Sequence, residues 1–153
     1  MSEVQRIVDQ LRRAYEGPAF HGDAVKEILK GVVADQANRR PIKQGHSIWE
    51  LVGHIAGWHR EICNRLIGQT AKLLPPEENF PQPKDASQAA WKKTLENLDE
   101  SYRELSATIS QFPESRLADT VQGRNYDFYV LMHGIVQHTL YHAGQIAILK
   151  KSA

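Results

Sequence analysis

Apolar residues along this chain recur in steps of three and four, the spacing that lines one face of a helix. Val4, Ile7, Val8 and Leu11 form the first such stripe, interrupted at Gly17-Pro18. Val25, Ile28, Leu29, Val32 and Val33 restart it behind Asp23, an N-cap type, and predict a second helix or a continuation after a kink, ending at the polar run of residues 35–40 and Pro41. Ser47-Ile48-Trp49-Glu50 has capping-box spacing and opens a helix whose stripe, Ile48, Leu51, Val52, Ile55, Ile62 and Leu66, runs about five turns to Gly68. Pro75, Pro76, Pro81 and Pro83 then remove backbone donors and predict a long extended connection over residues 72–84. From Trp91, the series Leu95, Leu98, Tyr102, Leu105, Ile109 and Phe112 predicts a bundle helix closed by Pro113. Residues 116–125, with Gly123, read as a loop or short hairpin. Phe128, Leu131, Ile135, Ile146 and Leu149 define a last helix of about six turns. The expectation is an all-α four-helix bundle, one domain over residues 1–153, with a Pro-rich crossover between the second and third bundle helices.

Composition narrows the function classes. The chain has 153 residues, 41% of them hydrophobic and 24% charged, as in ordinary soluble domains, and a formal charge of +1 that offers no footprint for nucleic acid. No apolar run approaches the roughly 20 residues that span a bilayer, and the acidic residues near the N-terminus do not suit a signal peptide. The lone Cys63 has no partner for an intramolecular disulfide, so a cytoplasmic location is expected. What stands out is seven histidines.

Two of these sit where a bundle wants leucine. The inward series of the last helix runs Leu131, Ile135, His138, His142, Gln145 and Leu149. Burying an unpartnered imidazole costs roughly 1–3 kcal/mol, so two at i and i+4 call for a shared partner: hydrogen bonds from neighbouring helices, or one metal ion. Thr139 follows His138 where a metalloprotease helix needs its glutamate, which argues against a zincin-type protease. A third ligand is available from the helix after Ser47, which carries His54 and His59 about 140° apart around its axis. Periodicity favours His59, which lies within the stripe of Val52, Ile55 and Ile62, over His54 on its flank.

The segments His46-Ser47-Ile48-Trp49-Glu50-Leu51-Val52-Gly53-His54-Ile55-Ala56-Gly57-Trp58 and His138-Thr139-Leu140-Tyr141-His142-Ala143-Gly144-Gln145-Ile146 carry a resemblance to the DinB/YfiT-like superfamily of metal-binding four-helix bundles. Residues 17–22 and Gln122-Gly123-Arg124-Asn125-Tyr126 resemble it more weakly. The resemblance implies His54, His138 and His142 as ligands of a divalent ion, zinc or nickel foremost and iron or manganese also compatible, with coordination positions left open. Such a site suits catalysis on a small-molecule substrate, whereas structural zinc is usually closed by four protein ligands. Cys63, about 180° around the helix from His54, is a poor fourth ligand. Three neutral ligands leave the full dipositive charge, which favours ionised water or a bound thiolate. The implied reaction classes are hydrolysis, or transfer dependent on a low-molecular-weight thiol as in mycothiol- and bacillithiol-dependent relatives; a non-catalytic metal-binding or stress-response protein is the alternative. No general base stands out. Glu50 could act one turn before His54 but is explained by its cap, and Gln145 could orient His142 or a metal ligand. His21, Arg124 and Tyr126 are candidates for the pocket, whereas His46 and His133 have no partner by spacing. A homodimer is also implied, with Val130, Met132, Val136, Leu140 and Ala143 as a second apolar side of the last helix.

Overall fold

Seven α-helices and one 3-10 turn account for the regular structure in a computed structural model that describes residues 1–152. Four are long: α1 (Glu3–Tyr15), α4 (Ile48–Leu66), α6 (Gln88–Ser110) and α7 (Phe128–Lys151). Between them lie α2 (Val25–Leu29), α3 (Ala34–Asn38) and α5 (Pro76–Asn79). Each long helix starts at a side chain that accepts from its own first turn, Ser2, Ser47, Ser87 and Asp127, and so satisfies backbone donors the helix leaves unpaired. At Ser47 the box is reciprocal: Glu50 N–H donates to Ser47 Oγ at 3.1 Å and Ser47 N–H to Glu50 Oε2 at 2.7 Å.

The long helices form a four-membered ring in which α1 and α4 each pack against both α6 and α7, so α1 and α4 are diagonal neighbours. The first and third connections therefore run diagonally, whereas the long Pro-rich connection expected as the crossover joins the neighbours α4 and α6 and passes over the side of α4. The core is filled by the predicted stripes, among them Ile7, Leu11, Ile55, Leu98, Leu105, Ile109 and Ile146, all fully buried. Trp91 is buried against Trp49, and its indole N–H donates to the Val32 carbonyl at 2.8 Å, which anchors the segment after α2 to α6.

Three expectations need correction. The stretch from Val25 to Val33 is not one helix: it ends at Leu29, turns through Gly31 at φ +81, and resumes as α3 within the polar run of residues 35–40. Asp23 is not its cap; Ala24 holds that position, and Glu27 Oε2 accepts the Ala24 N–H at 2.7 Å. The Pro-rich connection is extended except for the single turn of α5, which Pro76 opens where its missing N–H costs nothing. In the loop before α7 a Thr120–Asp127 bridge closes the turn, the hairpin-like form of that expectation. Among the described residues no helix is long and apolar enough to cross a membrane.

Candidate metal centre

α4 and α7 bring His54, His138 and His142 to one point. Each offers a ring nitrogen, and these atoms all lie within 4.8 Å of one another. His54 Nε2 and His138 Nε2 stand 3.0 Å apart, and ring centroids are separated by 4.9 Å for His54–His138, 4.5 Å for His54–His142 and 4.4 Å for His138–His142. Two ligands of a tetrahedral zinc, each at about 2.0–2.1 Å, stand roughly 3.3 Å apart, so the group needs only small rotations to share one ion.

Outer hydrogen bonds set which nitrogen faces in. His54 Nδ1 donates to the Asn79 carbonyl at 2.7 Å, and His142 Nδ1 donates to Gln145 Oε1 at 2.6 Å, which leaves the Nε2 lone pair of each ring free for a cation. His138 Nδ1 is buried without a partner. Burial pushes the pKa of His54 down to about 4 and of His138 to about 3, and lowers that of His142 as well. All three rings are therefore neutral at pH 7, the form that binds metal. Two inward-facing acceptors, on His54 and His142, meet the inward Nε2 of His138 in an apolar-lined cluster, and a cation shared by the three inward nitrogens satisfies them; the residues present fit a divalent ion.

The Pro-rich crossover clasps His54. Phe80 stacks on its ring at 4.1 Å and 2°, His46 stacks in turn on Phe80 at 3.6 Å, and Trp58 Nε1 donates to Asn79 Oδ1 at 3.0 Å. This approach requires Gly53: a Cβ there would stand 2.6 Å from Pro81 Cγ. Gly53→Ala is expected to push the crossover off α4, loosen the Asn79 bond to His54, and weaken metal binding about 10–100-fold, as loss of an outer partner does. Competition with a chelating dye measures it; unchanged affinity would detach the crossover from the site.

The remaining candidates separate cleanly. Gln145 and Tyr126 are at the site, Gln145 on His142 and Tyr126 in the wall of the cavity before the histidines. Glu50 is buried but committed to its cap and to Arg40. His21 lines a different cavity beside Asp23 and Lys150, and Arg124 is bonded to its neighbour's carbonyl away from the wall. His59, which periodicity favours, is fully buried elsewhere, with Nδ1 donating to Ser101 Oγ at 3.0 Å. Cys63 is buried and outside the group. Sequence reasoning missed Asn79, Phe80 and a buried ion pair, Glu61 with Arg65.

The lowered histidine pKa values predict a pH effect. In the unfolded chain these imidazoles titrate near 6.5, whereas burial holds His54, His138, His142 and His59 below that value in the fold. The unfolded state then binds more protons, so stability of the metal-free protein is full above about pH 6.5 and falls as pH drops toward the folded values. The urea midpoint should decline between about pH 6.5 and 5, above the carboxylate range; a flat profile would mean water reaches these rings.

Fold and site together define a class: helical bundles whose three-histidine group, on two facing helices, can hold a divalent metal. Residues 20–146 match the DinB superfamily, and the chain belongs to it. A crystal structure of a conserved protein from Enterococcus faecalis has the same fold, with a TM-score of 0.73 and 18% identity over 99% of this chain and 97% of that one. No curated protein matches the chain.

Proposed function

We propose that this protein is a metal-dependent enzyme that transfers a low-molecular-weight thiol to a small electrophile, with His54, His138 and His142 holding the metal. The supporting observation is the convergence of three neutral imidazoles on one wall of a cavity of about 560 Å³ in which no aspartate or glutamate takes part. A divalent cation held there supplies the charge that keeps a thiol ionised at neutral pH. Hydrolysis could use the same charge on water, but the cavity wall holds no carboxylate to move protons to and from the leaving group, and Glu50, one turn before His54, is spent on the helix cap and Arg40. Thiol transfer needs none: the sulfur bonds to the electrophilic carbon, the leaving group departs with the bonding pair, and the thiol proton passes to solvent. Asn79 and Gln145 fix the ring orientations, while Trp58, Ile62, Leu131 and Ile135 keep water from the far wall. Homodimer assembly belongs to the same proposal, but of the expected second apolar side of α7, Met132, Val136 and Ala143 are buried in the chain's own core and Val130 lines the cavity, so the exposed Ile148 is what that helix offers a second copy.

Calorimetric titration of zinc- or nickel-loaded protein with cysteine, glutathione and other cellular thiols tests the reading. Binding should need the metal and release a proton to buffer. Absence of metal-dependent thiol binding, with turnover of simple esters instead, would replace transfer by hydrolysis.

A further inference from the structure

The cavity before the histidines has two chemically different ends. At one end stand the three imidazoles, and its body is apolar and aromatic, built from Trp58, Ile62, Phe80, Leu131, Ile135 and Tyr141. At the other end lies Arg65, the one charged side chain in the wall. Its guanidinium carbon sits 5.2 Å from the Trp58 ring centroid, which is itself 5.9 Å from the His138 ring, so one indole touches both ends.

Arg65 spends three bonds on the protein: Nε to Glu61 Oε1 at 2.9 Å, Nη1 to Tyr126 Oη at 2.8 Å and Nη2 to the Lys72 carbonyl at 2.9 Å. A guanidinium has five N–H donors, so two remain. Tyr126 Oη accepts from Arg65, and among the described residues nothing accepts its own proton, which leaves a polarised O–H donor in the cavity wall. Glu61 is buried behind Arg65 and is not part of the lining. This end therefore presents donors and no carboxylate. A group that only accepts hydrogen bonds and carries negative charge satisfies it, through the charge-assisted bonds that arginine favours.

We infer that the electrophile taken by this cavity is a small, mainly aromatic or apolar carboxylate, its carboxylate bonded to the Tyr126 hydroxyl that the buried Arg65 polarises, its body against Trp58, and its reacting carbon toward His54, His138 and His142. The inference rests on the thiol-transfer reading for the word electrophile, but its recognition element is independent of the metal. Arg65 positions Tyr126 and is also a structural group, so Tyr126 is the residue to test.

The experiment compares two probes of one shape, 4-phenylbutyrate and its uncharged amide, by NMR titration of zinc-loaded and metal-free protein. The carboxylate should bind about tenfold tighter than the amide in both forms, as one charge-assisted bond implies. Tyr126→Phe should bring that ratio close to one, the carboxylate losing more affinity than the amide, while leaving metal content unchanged, and probe ring protons should show contacts to the Trp58 indole. A ratio that survives Tyr126→Phe, or that exists in the zinc-loaded form alone, overturns the inference, because the carboxylate then sits on the cation. Metal content read on the same wild-type samples keeps the two ideas apart: zero metal ends the thiol-transfer reading, and the ratio in metal-free protein still decides this one.

Discussion

His142→Ala is expected to abolish stoichiometric binding of divalent metal and to leave a helical protein. Three neutral nitrogens are the whole donor set, so loss of one removes a third of it and leaves Gln145 without its histidine. Removal of an outer partner alone costs about 10–100-fold in metal affinity, and removal of a ligand must cost more. Gln145→Ala supplies that smaller effect in the same protein, since the His142 ring keeps its nitrogen but loses the acceptor that fixes its tautomer. The helix itself is held by Leu131, Ile135, Ile146 and Leu149, none of which the substitution touches. Elemental analysis of untagged protein, with circular dichroism as the folding control, reads both quantities. Full metal occupancy in His142→Ala would exclude that residue as a ligand, and occupancy equal to that of Gln145→Ala would reduce it to an outer role.

The helices were legible because their stripes repeat over many turns and because Ser47 and Glu50 mark a start by their chemistry. The break at Gly31 was not: Val32 is buried under Trp91 and Val33 is exposed, so the apolar period runs on across a turn in the backbone. His138 and His142 were legible as polar residues in a core series. His54 was not legible from period alone, since α4 packs against α6, α7, α3 and α5 and buries residues nearly all around its axis, which makes flank positions as interior as stripe positions. His59 indeed lies in the core, but it faces Ser101 of α6 and Tyr15 of α1, on the side away from the crossover that clasps His54. Family resemblance, which compares positions rather than faces, points to His54, the one of the two that the fold groups with His138 and His142. Asn79 and Phe80 left no local signal, because what they do depends on a residue 25 positions earlier that only the fold brings near.

Glu61→Gln should be the most destabilising single change on this side of the bundle, by about 3–5 kcal/mol, the usual cost of leaving one member of a buried ion pair alone. In sequence Glu61 and Arg65 look like an ordinary i, i+4 surface pair worth a few tenths of a kcal/mol. In the fold the segment after α4 returns over them, and their side chains are 4% and 2% exposed. Glu61 Oε1 also accepts the Lys72 N–H at 2.7 Å, while Arg65 donates to the Lys72 carbonyl, so the pair satisfies both backbone groups of the residue where the crossover begins. An amide at position 61 can still accept from Lys72 but leaves the guanidinium without its counter-charge. Replacing both residues, Glu61→Leu with Arg65→Met, removes the lone charge and should recover part of the loss. Full recovery is not expected, because Lys72 then has two unpartnered backbone groups and Tyr126 loses its donor. Urea denaturation of the two variants beside the wild type gives the numbers. A loss below about 1 kcal/mol for Glu61→Gln would place the pair in contact with water and put it with the exposed ion pairs of the surface.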